Sequence, residues 1–310
     1  MALALIRRVP IEPKFDFLRL RKAFLVFSTL LVLLSVGLFF GVGLNFGVDF
    51  RGGIMLDVQT KGPADLSSVR SRLGGLGLGD VTVQTFGADD NILINVERQT
   101  GEEEAQAVAI AAIKAALDDT AARYNRVEFV GPKVGDELKR AGVLATVLAL
   151  LGIAVYIWFR FEWHFGLAAL VALAHDVVAT VGFYAVTQIE FNLATLAAVL
   201  TIAGYSINDT VVLFDRVRET LRKYKKLDLQ AVLNMSINRT LSRTLLTSVT
   251  TLLALVALFV FGGQVIRGFT SGLIWGVVIG TYSSIGIAVP LLVYTNLRST
   301  MIATEEEEQA

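Results

Sequence analysis

The chain has no cysteine and only two histidines, His164 and His175. Without cysteine there is no disulfide framework and no thiolate zinc site, and two histidines do not make a His-rich metal centre. An excess of charge is missing too: 28 Lys+Arg stand against 28 Asp+Glu over 310 residues. A nucleic-acid binder would carry a basic surplus, and a disordered chain would pair low hydrophobicity with high net charge. Neither description fits. Charged residues make up 18%, where a soluble domain carries about 25%. Apolar residues fill the gap, at 54% with a mean hydropathy of +0.61. Such a chain keeps apolar surface out of water permanently, so a membrane protein without a cofactor is expected.

A membrane span needs about 20 largely apolar residues, because hydrocarbon satisfies no exposed backbone group. Six runs qualify: Ala23–Leu44, Ala141–Phe159, Phe165–Val186, Leu193–Phe214, Leu245–Phe261 and Phe269–Tyr294. Arg7, Arg8, Lys14, Arg19, Arg21 and Lys22 precede the first run, as in a signal peptide. Its length exceeds a signal h-region, and Gly43-Leu44-Asn45-Phe46 offers no small-x-small cleavage site, so a retained anchor is expected. Lys and Arg in short loops set orientation. Residues 1–22 are basic, and so is the loop 215–243, with Arg216, Arg218, Arg222, Lys223, Lys225, Lys226, Arg239 and Arg243. The turns 187–192 and 262–268 are nearly free of positive charge. Both termini and the basic loop are therefore expected in the cytoplasm. The divisions are 1–22 N-terminus, 23–44 first span, 45–140 outer domain, 141–296 the remaining five spans, and 297–310 a solvated acidic tail.

The outer segment reads as strand, helix, strand, strand, helix, strand. Ile54–Gln59, Val81–Phe86, Ile92–Val96 and Val127–Val130 are β-like; Ala64–Leu73 and the Ala-rich Glu102–Tyr124 are helical. Glu102, Glu103 and Glu104 open the second helix, where its dipole favours acids. The β-α-β-β-α-β order predicts a ferredoxin-like α+β domain, and at ~95 residues it is large enough for its own core.

Ionisable residues inside spans cost about 2.5–3.5 kcal/mol each at mid-helix, so each asks for a reason. His175-Asp176 lies in the middle of the third span, and Ser206-Ile207-Asn208-Asp209-Thr210 interrupts the fourth. Arg239 and Arg243 precede the fifth. Depth makes Asp209 and Arg243 the expected ion pair, with Arg243 snorkelling inward from the cytoplasmic end. Asp176 lies deeper, so His175, Asp176 and Asn208 are candidates for a polar relay. A guanidinium moving toward or away from Asp209 would switch its protonation. Spacing alone leaves that proton-responsive pair and a static salt bridge both open, and a structural histidine at 175 as open as a relay member.

Gly268, Gly272, Gly276 and Gly280 recur every fourth residue along the sixth span, the small-xxx-small pattern of close helix packing. Gly52-Gly53 reads as a turn between the first span and the first strand. The loop 215–243 carries topogenic charge that also suits anionic lipid headgroups. No phosphate-binding glycine loop, hydrolytic carboxylate pair, nucleophile with its base, or metal cluster is present in the sequence.

Several stretches together resemble the SecF family, of the SecD/SecF branch of the resistance-nodulation-division (RND) superfamily. They are Gly47-Val48-Asp49-Phe50-Arg51-Gly52-Gly53, Ala174-His175-Asp176-Val177-Val178, and Gly204-Tyr205-Ser206-Ile207-Asn208-Asp209-Thr210-Val211-Val212 with Phe214-Asp215-Arg216. Asn238-Arg239-Thr240-Leu241-Ser242-Arg243-Thr244, Phe261-Gly262-Gly263 with Ile266-Arg267-Gly268-Phe269, and Gly280-Thr281-Tyr282-Ser283-Ser284-Ile285 match as well. The resemblance runs from Arg7 to Arg298. It implies six transmembrane helices, an RND-like half, with one periplasmic ferredoxin-like domain in the bacterial inner membrane. It implies a non-enzymatic subunit of protein export that pairs with SecD beside the SecYEG channel, with YajC as a further associate. The proton gradient would help draw unfolded preprotein outward, and Asp209 and Arg243 match the family's proton-coupling pair. A self-contained RND-type proton antiporter for small molecules, or a membrane scaffold without coupling, are the alternatives.

Overall fold

The computed structural model describes residues 15–97, 99, 101, 103–295 and 297. Arg7, Arg8, Lys14, Glu102 and the acidic tail from Arg298 lie outside the described residues. The chain divides by its internal contacts into two units: Asn45–Ala145 with Glu190–Leu193, and the remainder.

In chain order, α1 (Arg21–Gly41) follows a short turn of 3-10 helix, and a single-turn α2 (Val48–Arg51) leads into β1 (Gly53–Thr60). Then come α3 (Leu66–Gly74), β2 (Val81–Phe86), β3 (Ala88–Val96), α4 (Glu103–Ala116) and β4 (Ala121–Val130). Four long helices follow: α5 (Pro132–Arg160), α6 (Trp163–Thr187), α7 (Leu193–Lys223) and α8 (Leu229–Phe261). The last span is composite, with α9 (Arg267–Ser283), a π-helical turn Ser284–Ala288, and α10 (Val289–Leu292). Among the described residues, six helical segments are long and apolar enough to cross a membrane.

The strands form one antiparallel sheet in the order β2-β3-β1-β4, the arrangement of a ferredoxin-like unit in which each helix crosses over a central strand. Alternate residues set one face: Ile54, Leu56, Val58, Ile92, Ile94 and Val96 pack with Val69 and Leu73 of α3 and with Ala109 and Ile113 of α4. Asp65 starts α3 by accepting from the backbone N–H groups of Ser67 and Ser68 at 3.0 and 3.1 Å. Gly87, at φ 89°, makes the tight link from β2 to β3. The structure moves several boundaries, among them the start of β3 to Ala88 from Ile92 and of β4 to Ala121 from Val127. Helix α4 ends at Ala116 rather than Tyr124, because residues 121–124 pair with β1 instead. Leu117-Asp118-Asp119-Thr120 forms the turn, closed by the Ala121 N–H on the Leu117 carbonyl at 2.7 Å. Alanine favours a helix intrinsically, but the sheet edge it completes decides the outcome.

Around α2 the chain folds back on residues 190–193. Phe46 and Phe191 bridge in parallel, and their rings pack with Phe50. Asp49 Oδ2 accepts the Leu193 N–H at 2.9 Å, satisfying one of the orphan donors at the start of α7. Glu190 abuts Gly47, which has no side chain to keep it away.

The helical unit is graded in burial. Helices α6, α7 and α9 carry most of the buried positions, whereas α1, α5 and α8 expose long apolar faces. The segment 215–243, expected as a loop, is instead almost wholly helix. Helix α7 runs on to Lys223 and α8 starts at Leu229, leaving a short turn between. Arg222 and Lys223 sit in the last turn of α7, where its dipole favours cations, and Asp228 caps α8 by accepting the Gln230 N–H. In the last span, Pro290 has no N–H and its ring crowds the carbonyl four residues back, which accounts for the π-helical turn just before it.

Burial, the nearby Asp49 and Glu128 carboxylates raise the proton affinity of Glu190, while Arg126 and Asn192 oppose them. A folded-state pKa above the unfolded one means that stability is lost as pH rises from about 4.3, the ordinary glutamate value. We therefore expect Glu190→Gln to raise the thermal unfolding midpoint at pH 7 and to leave it unchanged near pH 4. An equal effect at both pH values would show that the charge is not what matters.

Candidate functional site: a polar cluster inside the helix bundle

Asp176 of α6 is fully buried, 0% exposed. Its Oδ2 accepts the hydroxyls of Ser206 on α7 at 2.5 Å and Ser283 on α9 at 2.6 Å. Its Oδ1 lies 2.9 Å from His175 Nδ1, the donor in the tautomer that pairs with a carboxylate. Thr180 Oγ1 donates back to the Asp176 carbonyl at 2.7 Å. One turn along, Thr210 of α7 and Ser284 of the π-helical turn share a hydroxyl–hydroxyl bond of 2.9 Å. Both Ser283 and Ser284 also lie within hydrogen-bond reach of the Gly280 carbonyl, at 3.1 and 3.0 Å.

Asp209 is 8% exposed, and its Oδ2 is buried without a hydrogen bond from any described residue. Arg243 exerts a Coulombic influence on it, yet no ion pair within 4.0 Å joins the two among the described residues. The extended helices change the depth argument. At 1.5 Å per residue, Asp209 lies about 21 Å along α7 from Lys223, and Arg243 lies about 21 Å along α8 from Leu229. The two thus stand equally far along their helices from the turn that joins them, and Arg243 is exposed rather than folded into the bundle. Asn208 also stands on an exposed face of α7, away from the Asp176 cluster. The structure thus brings His175 and Asp176 together with Ser206, Ser283 and Thr180, with Thr210 and Ser284 one turn along, and does not bring Asn208 to them.

The glycines of α9 make the cluster geometrically possible. A side chain at Gly272 would collide with Tyr184 and one at Gly276 with Ile202, while a Cβ at Gly280 would lie 3.1 Å from that of Ser206. The Gly268 carbonyl accepts the Tyr184 hydroxyl at 3.0 Å. Close backbone approach is what allows short Ser side chains on α7 and α9 to reach one carboxylate. Sequence reasoning named Ser206 and Thr210 only as part of a polar run and gave Ser283 and Ser284 no role. The available signal was two hydroxyls directly after the glycine series, at the place where Pro290 breaks the regular helix.

A six-helix membrane bundle with a buried ionisable cluster, carrying a separate ferredoxin-like unit, is a polytopic transport-type membrane protein. Two family models place it further: "Protein export membrane protein SecD/SecF, C-terminal" matches residues 109–298, and "SecD/SecF GG Motif" matches residues 37–64. The protein translocase subunit SecF of Rickettsia felis is 46% identical over 93% of this chain and 94% of its own length. That of Rickettsia typhi is 44% identical with the same coverage. The crystal structure of SecDF, a translocon-associated membrane protein from Thermus thermophilus, superposes with a TM-score of 0.83 at 35% identity. It covers 92% of this chain, which spans 39% of the solved chain. A super-membrane-facing form of SecDF gives 0.68 at 33% identity, over 95% and 40%. The chain belongs to the SecF family of protein translocase subunits.

Replacing Gly276 by Ala should destabilise the bundle by about 1–3 kcal/mol, the usual cost of overpacking. Gly204→Ala, with nothing within 4 Å of the added carbon, should be neutral. Thermal unfolding in mild detergent reads both; equal midpoints for the two variants would count against close packing at Gly276.

Proposed function

We propose that the chain is a non-catalytic accessory subunit of the Sec protein-export machinery. With SecD it uses the proton motive force to promote translocation of unfolded preprotein across the bacterial inner membrane. SecYEG supplies the channel, and YajC is a further associate. Both termini face the cytoplasm, and residues 45–140 face the periplasm. The observation that carries this reading is Asp209, a carboxylate buried within a membrane-spanning helix, level with Arg243 but not paired to it.

A static salt bridge would hold the two groups in contact. A carboxylate that meets its guanidinium in one state and parts from it in another changes its affinity for a proton between the two. A charge crossing the whole membrane potential releases about 2.3 kcal/mol per 100 mV, enough to bias a conformational equilibrium of a few kcal/mol. Arg243 and Asn208 also support a partner. Both are exposed on the isolated chain at membrane depth, and lipid neither accepts their hydrogen bonds nor solvates the charge. A second helical unit of the SecD type would cover them.

We expect Asp209→Asn to assemble normally and to lose the proton-driven part of preprotein translocation in inverted vesicles, falling to the level of de-energised wild type. Full proton-driven stimulation by this variant would sink the coupling role. Purification in mild detergent with identification of the co-purifying proteins tests the partnership: a lone homodimer would favour the antiporter reading.

A further inference from the structure

Asp176 is a fully buried carboxylate of the helical unit, 0% exposed, and the Asp209–Arg243 reading gives it no task. Its surroundings are well defined. On its own helix it has His175; on α9, the Tyr282 ring lies 6.2 Å from that of His175. The Tyr282 hydroxyl is already engaged, donating to the Phe24 carbonyl at 2.9 Å and meeting Ser28 of α1 at 2.8 Å. From α7 the facing group is Ser206. Among the described residues, no lysine or arginine comes within ion-pair distance of Asp176.

Two features separate a proton-carrying group from a holding one. The first is how its hydrogen bonds are used. Both serine hydroxyls converge on Oδ2, and His175 takes Oδ1, so the carboxylate acts as acceptor for three helices' worth of polar groups. The second is what lies between Asp176 and Asp209. From Asp176 the groups within hydrogen-bond reach run to Ser283 and then to the Gly280 carbonyl, which also lies within reach of Ser284, the partner of Thr210. A carbonyl accepts protons' hydrogen bonds but has none to pass on, so this sequence of protein groups does not conduct from one carboxylate to the other. It does fix geometry. Ser206 and Asp209 are three apart on α7 and therefore neighbours along its surface. Ser283 and Ser284 adjoin the π-helical turn, and such turns recur at functional positions in membrane and soluble helices alike.

We infer that Asp176 is a positioning residue: through Ser206 and Ser283 it clasps α7 and α9 to α6, and so sets the level and rotation at which Asp209 is presented. This rests on the proton-coupling reading of Asp209. The clasp needs acceptor oxygens at 176 and hydroxyls at 206 and 283; it does not need Asp176 to gain or lose a proton.

The test compares three variants in inverted, proton-energised vesicles, with the pH profile of translocation recorded for each. Ser206→Ala/Ser283→Ala keeps the carboxylate and removes the clasp. Asp176→Asn removes the titratable proton but keeps one carbonyl oxygen able to accept both hydroxyls. Asp209→Asn reports the coupling site itself. We expect the double serine variant to lose between about 10- and 100-fold of the proton-driven rate, the scale set by misplacing a reacting group by about 1 Å. The midpoint of its pH profile should be displaced, a change that weakened packing alone does not produce. Asp176→Asn should retain a larger share of the rate, with its midpoint in place. Should the double variant not accumulate in the membrane, the single Ser206→Ala and Ser283→Ala variants each remove one arm and are expected to show the same displacement at smaller size. Loss in Asp176→Asn equal to that of Asp209→Asn, with the serine variants active, would overturn the inference and make Asp176 a proton carrier. Active serine variants with an unmoved midpoint would overturn it as well. A fully active Asp209→Asn would instead overturn the coupling reading, and this inference with it.

Discussion

Hydrocarbon offers no hydrogen-bond partner, so every polar group in the six spans must be satisfied by the protein itself. Most hydroxyls are disposed of locally. Thr180, Thr201, Ser236, Thr240, Thr250, Thr270 and Thr281 each donate to a carbonyl three or four residues back on their own helix. That solution is cheap and carries little information about partners. The informative exceptions are the hydroxyls that reach across helices: Ser206 and Ser283 to Asp176, Thr210 to Ser284, and Ser248 to Thr281 at 2.7 Å. These four bonds fall on α6, α7, α8 and the last span, with Ser28 of α1 meeting the Tyr282 hydroxyl besides, and they fix the relative rotation of helices whose apolar surfaces would otherwise pack in several ways.

Those cross-helix bonds are short only because the backbones come close. Gly272, Gly276 and Gly280 remove the side chains that would hold α9 off α6 and α7, and Gly182 does the same for α6 against Ser35 of α1. Small residues thus do for the membrane unit what alternating apolar residues do for the sheet. In the ferredoxin-like unit, burial of Ile54, Leu56, Ile92 and Ile94 releases water and drives assembly. Within lipid that gain is absent, so close contact and hydrogen bonding have to supply specificity.

The signals that the sequence carried well were periodic ones. The β-like stretches located all four strands, the apolar runs located the spans, and the unusual charges Asp176 and Asp209 stood out against them. What the pattern misplaced was set by tertiary context. Residues 121–124 are Ala-Ala-Arg-Tyr, good helix formers that become strand because β1 presents an open edge to them. Residues 215–243 read as a loop because charge marks the departure from lipid, yet a helix leaving the bilayer need not unwind, and the i,i+3 pair of Arg216 with Glu219 helps α7 continue. The partners of Asp176 were illegible for a different reason. Ser206 and Ser283 are 30 and 107 residues away from it, and only helix order and rotation bring them to one oxygen.

The two buried carboxylates therefore differ in kind. Asp176 has acceptor capacity used from within the chain, by hydroxyls of α7 and α9 that meet it inside the bundle. Asp209 has one oxygen with no donor among the described residues, and Asn208 and Arg243 stand on exposed faces. A saturated carboxylate holds its surroundings in one arrangement, since moving any partner breaks a bond that lipid cannot replace. A buried carboxylate oxygen without a donor, as at Asp209, gains whenever one arrives. On the coupling role proposed for Asp209, rigidity at 176 would be its complement: a group whose environment is to change can respond only if the helix that carries it does not move in its place.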